Sequence, residues 1–172
     1  MNANQALSLR PAIRAEAPEL ALMSRDLIER GLSWRYTPPR MLRMLAERET
    51  SVVVACDSQG VQGFSALHLG ELSAHLVLLA VQPEQQRRGI GRRLLAWHLA
   101  TARAAGMERV GLELRADNDA ALAFYGGLGF QRLQRLPAYY DSRVDALRMQ
   151  LQLREAAQPG RTGPGRADGL TD

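Results

Sequence analysis

The fold of this chain is decided by Gln86-Arg87-Arg88-Gly89-Ile90-Gly91-Arg92-Arg93. An apolar run from Leu76 to Val81, typical of a strand, precedes this stretch, and apolar residues at helical spacing follow it. Glycine lets the backbone approach a ligand closely, and the free N–H groups at the start of a helix attract an anion. Strand, glycine turn and helix in this order therefore predict a phosphate-binding loop, to which the four arginines add positive charge.

Two familiar nucleotide-binding motifs do not fit this loop. A dinucleotide-binding fingerprint would need a third glycine where Leu94 stands, and a P-loop would need Gly-Lys followed by Ser or Thr. The pattern that remains is Gln/Arg-x-x-Gly-x-Gly/Ala. It resembles the pyrophosphate-binding loop of the GNAT family of N-acetyltransferases, which bind acetyl-CoA.

A second, independent motif lies downstream of the loop. The segment Leu112-Glu113-Leu114-Arg115-Ala116-Asp117-Asn118 is followed by Ala121, Tyr125 and Gly129-Phe130. It resembles the strand, Asn, helix, Tyr and Gly-Phe segment of the same family, and one helix plus one strand fits between the two motifs. The ending Arg135, Tyr139-Tyr140, Asp145-Ala146 and Met149 is similar to the ribosomal-protein alanine N-acetyltransferase branch.

The resemblance is clear from Leu76 to Leu136 and weaker from Leu7 to Leu153. It implies an α/β fold with a mixed central sheet of about seven strands, about four flanking helices and a splay between the central strands. It also implies which residues bind acetyl-CoA: backbone groups of Leu79, Ala80 and Val81, the loop residues Gln86, Arg87, Arg88, Gly89, Ile90, Gly91 and Arg92, and the side chains of Asn118 and Tyr125.

Acetyl transfer to an amine needs a neutral amine and a proton for the departing thiolate. Tyr125 is the candidate general acid, because a phenol can donate a proton to a thiolate. Glu113 is the candidate general base. It lies twelve positions before Tyr125, the spacing of base and acid in the alanine N-acetyltransferase branch. Direct transfer in a ternary complex follows from the family and from the absence of a persuasive nucleophile.

Each of these residues has a structural alternative. Asn118 can cap a helix, Tyr125 can pack in the apolar face of that helix, and Glu113 can pair with Arg115 or another arginine. His75, Glu71 or a chain of water molecules remain alternative bases. No metal is implied, because the three histidines lack the spacing of a zinc site.

The length of 172 residues predicts one domain, which the resemblance implies is an acetyltransferase domain at residues 1–154. A flexible tail, 155–172, rich in Pro and Gly, is expected to follow it. No apolar run approaches the length of a membrane span and the N-terminus lacks a signal-peptide pattern, so we expect a cytoplasmic protein. The lone Cys56 lies in an apolar strand pattern and is expected to be buried. All 22 basic residues are arginine, and the net charge of +4 suits a polyanionic cofactor.

The remaining elements follow from periodicity and turn signals. Predicted strands are 8–13, 51–55, 61–66, 74–81, 110–114, 131–136 and 146–153. Predicted helices are 18–31, one beginning at Pro38-Pro39, one of about four turns from Ile90 to Gly106, and 119–128.

The sequence therefore predicts an acetyl-CoA-dependent N-acetyltransferase, and a protein N-terminal α-amine is the preferred acceptor. A small-molecule amine, such as a polyamine, amino acid or antibiotic, is the alternative. A non-catalytic acetyl-CoA or RNA-binding module is a lesser one, since few aromatic residues accompany the arginines. Acetyltransferases of this type often pair, so a homodimer is also compatible with the sequence.

Overall fold

The computed structural model describes residues 6–153. In chain order the elements are β1 (Ser8–Pro11), α1 (Ala17–Met23), α2 (Pro38–Ala46), β2 (Thr50–Asp57), β3 (Gly60–Leu69), β4 (Ser73–Val81), α3 (Ile90–Ala104), β5 (Arg109–Arg115), α4 (Asp119–Gly127), β6 (Gln131–Tyr140) and β7 (Val144–Gln152). Short 3-10 turns at Arg14–Glu16 and Pro83–Gln85 precede α1 and α3. The seven strands and four helices confirm the α/β architecture expected from the resemblance.

The strands form one sheet in the order β1-β2-β3-β4-β5-β7-β6. Every neighbouring pair is antiparallel except β4 and β5, which run parallel. These two strands pair only between Ser73–His75 and Arg109–Gly111. Beyond these residues β4 and β5 diverge, so the expected splay between the central strands is present.

A β-bulge interrupts β4 just beyond the paired segment. Leu67 of β3 lies opposite Leu76, whereas Ala66 lies opposite Leu78, so Val77 is the extra residue. The bulge changes which side of the sheet the following side chains face. Leu76 packs in the cluster that contains α3 and α4, and Leu78 packs with α1 and α2.

Helices cover both faces of the sheet, which explains why β4 is apolar at nearly every position. The helix α3 turns its buried face to the sheet through Ile90, Leu94, Leu95, His98 and Ala102. On the opposite face, α1 and α2 bury Leu20, Met41 and Met44 against Phe64 and Leu78. The two layers hold the diverging strands apart and fix the groove between them.

Most predicted elements are confirmed within a few residues, and two expectations were wrong. The helix expected from Pro18 to Gly31 is α-helical only to Met23 and continues as one π-helical segment, Ser24–Ile28. Cys56 is half-buried rather than buried and lies near the Ser8 hydroxyl. The predicted tail, 155–172, lies outside the described residues. Among residues 6–153, no helix is long and apolar enough to cross a membrane.

Candidate active site

The glycine-rich loop between β4 and α3 has the geometry of an anion-binding turn. Gly89 adopts a φ of 82° and Arg87 a φ of 62°, both in the left-handed region. The N–H of Arg93 donates to the Gly89 carbonyl. The N–H groups of Ile90, Gly91 and Arg92 therefore precede the first intrahelical hydrogen bond of α3. They are free to bind a phosphate at the positive end of the helix.

Side chains around the loop divide between structural and exposed roles. The Gln86 side chain donates a 3.1 Å hydrogen bond to the Val81 carbonyl, which ties the loop to the end of β4. Arg93 donates to the Leu7 carbonyl, and Arg88 donates to the Gln85 side chain. The exposed Arg87 and Arg92 can approach a pyrophosphate.

The edge of β4 that faces the splay is the candidate binding edge for the pantetheine arm. On one side, Leu79, Ala80 and Val81 pair with β3. On the other side, β5 has already diverged beyond His75, so outward-pointing backbone groups of this stretch meet no strand. These unpaired groups, the loop and the start of α3 form one continuous line that fits an extended cofactor with a phosphate-bearing end.

A cavity of about 320 Å³ lies at the splay between β4 and β5. Its walls come from β4, β5, α4, the segment after α1, the end of β6 and the β6–β7 turn. Glu113, Tyr125, Asn118 and His75 all line it, so the structure brings together the candidate acid, base, cofactor contact and one alternative base. Glu71, the other alternative base, is exposed and does not line this cavity.

Glu113, in the wall of the cavity, is held by contacts from two sides. One carboxylate oxygen lies 2.8 Å from Nε2 of His75, and the other accepts a 2.9 Å hydrogen bond from Nε of Arg148. Burial raises the pKa of Glu113, but the contacts with His75 and Arg148 outweigh burial and hold its pKa below the usual value. The structural alternative for Glu113, a pair with Arg115 or another arginine, is therefore met by Arg148, whereas Arg115 pairs with Asp117.

Tyr125 is almost fully buried in α4, with an exposed fraction of 8%. Its ring packs edge-to-face against Phe124 and Phe130, at centroid distances of 5.0 and 5.5 Å. Burial raises the pKa of the Tyr125 phenol above its usual value, so the hydroxyl stays protonated at neutral pH. The packing role and the acid role are therefore compatible, since the ring is fixed while the residue still lines the cavity.

Asn118 caps α4, as one of its two interpretations predicted. Its side-chain oxygen accepts a 3.0 Å hydrogen bond from the Ala121 N–H. The side-chain amide N–H groups are not needed for this cap. Asn118 can therefore cap the helix and donate to a cofactor at the same time.

Two loops that close the outer side of the cavity are tied together, a feature that sequence reasoning missed. Asp141, in the β6–β7 turn, accepts a 2.6 Å hydrogen bond from the Ser33 N–H and lies 3.6 Å from Arg35. Arg143 donates to the Gly31 carbonyl. We call this set of contacts the loop clasp. No local sequence signal could have found it, because its partners are more than 100 residues apart.

The segment after α1 is also fixed internally by a buried carboxylate. Glu29, 7% exposed, accepts hydrogen bonds from the Ser24 hydroxyl and from the backbone N–H groups of Arg35 and Tyr36. A buried charge is tolerated when such donors surround it. Glu29 therefore organises the cavity wall and is not free to bind a second ligand.

The sequence of this chain is similar to those of known N-acetyltransferases. The sequence profile of the acetyltransferase (GNAT) family matches residues 20–130, which confirms the resemblance drawn from the two motifs. The N-alpha-acetyltransferase RimI of Mycobacterium tuberculosis is 37% identical over 79% of this chain and 86% of its own length. The alanine N-acetyltransferase for ribosomal protein bS18 from Escherichia coli is 40% identical over 46% of this chain and 56% of its own length.

Solved structures agree with the fold. Ard1 from Thermoplasma volcanium superposes with a TM-score of 0.78 and 28% identity, over 87% of this chain and 99% of that protein. The ribosomal-protein-S18-alanine N-acetyltransferase from Escherichia coli gives a TM-score of 0.77 at 23% identity, over 90% of this chain and 98% of that protein. The second likeness supports the fold alone.

Proposed function

Because the chain belongs to the acetyltransferase (GNAT) family and is an acetyl-CoA-dependent N-acetyltransferase, we propose that its acceptor is the N-terminal α-amine of a protein. The observation that carries this proposal is the state of the carboxylates in the cavity wall. Glu29, Glu113 and Asp141 all line the cavity, and each already accepts hydrogen bonds from the protein. No further Asp or Glu lines this described cavity to bind the second ammonium group of a polyamine.

The relatives support the same acceptor class. The similar proteins from Mycobacterium tuberculosis and Escherichia coli are an N-alpha-acetyltransferase and an alanine N-acetyltransferase by name. The cavity between the clasped loops opens from the splay toward the outside of the sheet face.

The residues present fit acetyl-CoA on the geometry of this chain. Left-handed Gly89 opens the loop, the first N–H groups of α3 are free, and the outward edge of β4 has no partner strand. We propose that the loop residues 86–92, backbone groups of Leu79, Ala80 and Val81, and Asn118 hold the cofactor. When bound, acetyl-CoA supplies an acetyl group activated as a thioester.

We propose that Glu113 removes the proton from the incoming α-ammonium group. Its second oxygen contacts His75, whose side chain is 43% exposed and offers an exit route for the proton. Arg148 keeps the carboxylate in place on the other side. Tyr125 is proposed to hand its phenolic proton to the sulfur of the departing CoA, since its buried phenol is protonated at neutral pH.

The acceptor proposal is tested by CoA release from acetyl-CoA with a panel of amines. The panel contains peptides beginning with Ala, Ser or Met, one N-terminally blocked peptide with a free lysine, and several polyamines and amino acids. Turnover restricted to free N-termini is expected. Turnover of small amines alone would overturn the acceptor class, and acetyl-CoA binding without any turnover would favour a binding module.

A further inference from the structure

The cavity at the splay, which the proposed acceptor enters, is called the acceptor cavity below. A second groove of about 340 Å³ lies beside it and is not used by the proposed reaction. We call it the arginine groove. It is lined by Tyr36, Arg40, Arg43, Met44, Glu47, Thr50, His68 and Val77. Tyr36 and Val77 line both this groove and the acceptor cavity, so the two spaces adjoin along one shared wall.

The two arginines give the groove its chemical character. Both lie on α2, both are exposed, and neither forms an ion pair among the residues that the structure describes. Arg40 stacks on the Tyr36 ring, with its guanidinium carbon 4.5 Å from the ring centroid. This contact holds one cation at the wall shared with the acceptor cavity.

One carboxylate in the groove is already occupied. Glu47 accepts a 2.8 Å hydrogen bond from the Thr50 hydroxyl, which itself lies 3.3 Å from a His68 ring nitrogen. Glu47 stands four residues after Arg43 but makes no ion pair with it in the described chain. Two guanidinium groups therefore face one carboxylate, and the groove keeps an excess of positive charge.

The strand register gives the distance from His68, one of the residues lining this groove, to the reaction centre. His68 of the groove lies directly opposite His75, which contacts Glu113. Side chains at such cross-strand positions are about 5 Å apart. With the extra reach from His75 to the amine, the separation is about 10 Å, or roughly three residues of an extended peptide at about 3.4 Å each.

We propose that the arginine groove is a subsite for an acidic side chain of the acceptor, placed about three residues after its N-terminus. The ligand chemistry is a carboxylate of Asp or Glu, recognised by Arg40 and Arg43. A basic side chain at the same position is repelled. This inference rests on the proposed N-terminal acceptor and adds a sequence preference to it.

The experiment compares three peptides that begin with Ala-Ser and differ only at the third and fourth positions. One carries Asp-Asp, one Asn-Asn and one Lys-Lys. With the wild-type enzyme, we expect kcat/KM for the Asp-Asp peptide to exceed that for Asn-Asn by about three- to tenfold. This ratio should become smaller at high salt, because salt screens the charges. Lys-Lys is expected to be the poorest acceptor.

Arg43→Glu is the decisive variant, because Arg43 is exposed and stacks on no aromatic ring among residues 6–153, so its loss is not expected to disturb folding. We expect its preference to shift from Asp-Asp toward Lys-Lys. Arg40→Gln with Arg43→Gln is expected to bring the Asp-Asp to Asn-Asn ratio close to one. The control is Arg103→Glu, which makes the same charge change at an exposed position on α3, outside the groove.

The possible outcomes separate this inference from the proposed function. Acidic preference that reverses in Arg43→Glu and persists in Arg103→Glu supports the subsite. If all three peptides are turned over without a preference for Asp-Asp, the subsite is overturned and N-terminal acetylation remains intact. The same conclusion follows if Arg43→Glu and Arg103→Glu show the same preference. Failure of every peptide alongside turnover of small amines overturns the proposed function, and the subsite with it. Thermal melts of each variant exclude loss of folding as the cause.

Discussion

The carboxylate of Asp141 accepts a 2.6 Å hydrogen bond from the Ser33 N–H, across a separation of 108 residues in the chain. This contact joins the segment after α1 to the β6–β7 turn, and both segments line the acceptor cavity. The Ser33 N–H and the nearby Arg35 hold the pKa of Asp141 below its usual value. The contact is therefore charged at neutral pH and defines the entrance to the cavity.

Asp141→Asn is expected to loosen this entrance. The amide loses the negative charge that attracts Arg35 and weakens the hydrogen bond from Ser33. We expect KM for the acceptor to rise about fivefold, with KM for acetyl-CoA unchanged, since neither Ser33 nor Asp141 is among the residues proposed to hold the cofactor. Asp26→Asn is the control, because Asp26 is exposed and its recorded ion pair is with the adjacent Arg25. An equal rise in both KM values would contradict the assignment of this entrance.

Glu113→Gln is expected to lower kcat/KM by about 100-fold, because an amide cannot accept the proton of the ammonium group. Contacts with His75 and Arg148 hold the pKa of Glu113 below its usual value, so the carboxylate is ionised throughout the neutral range. The rise of activity with pH should therefore follow the acceptor amine, near pKa 8. The activity of the Glu113→Gln variant should rise over the same pH range as that of the wild type, but reach a lower maximum.

The matched control for this variant is Glu108→Gln, at a partly exposed position outside the cavity. An unchanged rate in Glu113→Gln would exclude Glu113 as the base. His75→Gln would then be the next variant to measure, since His75 is the alternative base that lines the cavity.

Tyr125→Phe is expected to reduce kcat by about 100-fold. The ring would keep its edge-to-face contacts with Phe124 and Phe130, so folding and acetyl-CoA binding should be retained. Steady-state kinetics and calorimetric titration with CoA separate these two effects. A parallel loss of CoA affinity would indicate that the hydroxyl serves binding rather than proton donation.

The two glycines of the phosphate loop are expected to differ in their tolerance of alanine. Gly89 has a left-handed φ of 82°, so Gly89→Ala should cost roughly 1 kcal/mol and raise KM for acetyl-CoA. At Gly91, an added Cβ would lie 3.4 Å from the Phe124 ring, an ordinary contact distance. Gly91→Ala should therefore leave both the free energy of unfolding and the KM for acetyl-CoA nearly unchanged. Equal loss of acetyl-CoA affinity in both variants would contradict this distinction.

His98 is expected to make the fold sensitive to acid. It is fully buried, neither ring nitrogen has a hydrogen-bond partner among the described residues, and burial lowers its pKa from 6.5 to about 4. Because the folded pKa is depressed, the contribution to stability is complete above pH 6.5 and is lost as pH falls toward 4. The expected loss at pH 4 is about 3 kcal/mol.

His98→Leu should remove this dependence, and urea unfolding measured between pH 7 and pH 4 checks it. His68→Leu is the control, because His68 is exposed. If the free energy of unfolding of the His98→Leu variant falls with pH as steeply as that of the wild type, carboxylates, and not His98, cause the acid sensitivity.

The apolar periodicity of the sequence was sufficient to predict the bounds of an element where the local pattern and the packing agree. The strand from Ala74 to Val81 and the helix from Ile90 were predicted nearly to their ends, because apolar spacing and the Gly89 turn act locally. The predicted end of the first helix was wrong because the π-helical segment Ser24–Ile28 ends where Glu29 is satisfied by loop N–H groups. Those partners follow Glu29 by six and seven residues and have no periodic signal.

The sequence alone determined the family and predicted the glycine-rich loop and the candidate pair Glu113 and Tyr125, because these features are encoded by residue type at short spacing. Only the tertiary structure decided which groups surround them: His75 and Arg148 on Glu113, Ser33 on Asp141, and the two arginines beside the acceptor cavity. The physical reason is that side-chain contacts across strands and loops depend on register. Glu113, for example, contacts Arg148 because the pairing of β5 with β7 places the two residues directly opposite each other, although they are 35 residues apart in the chain.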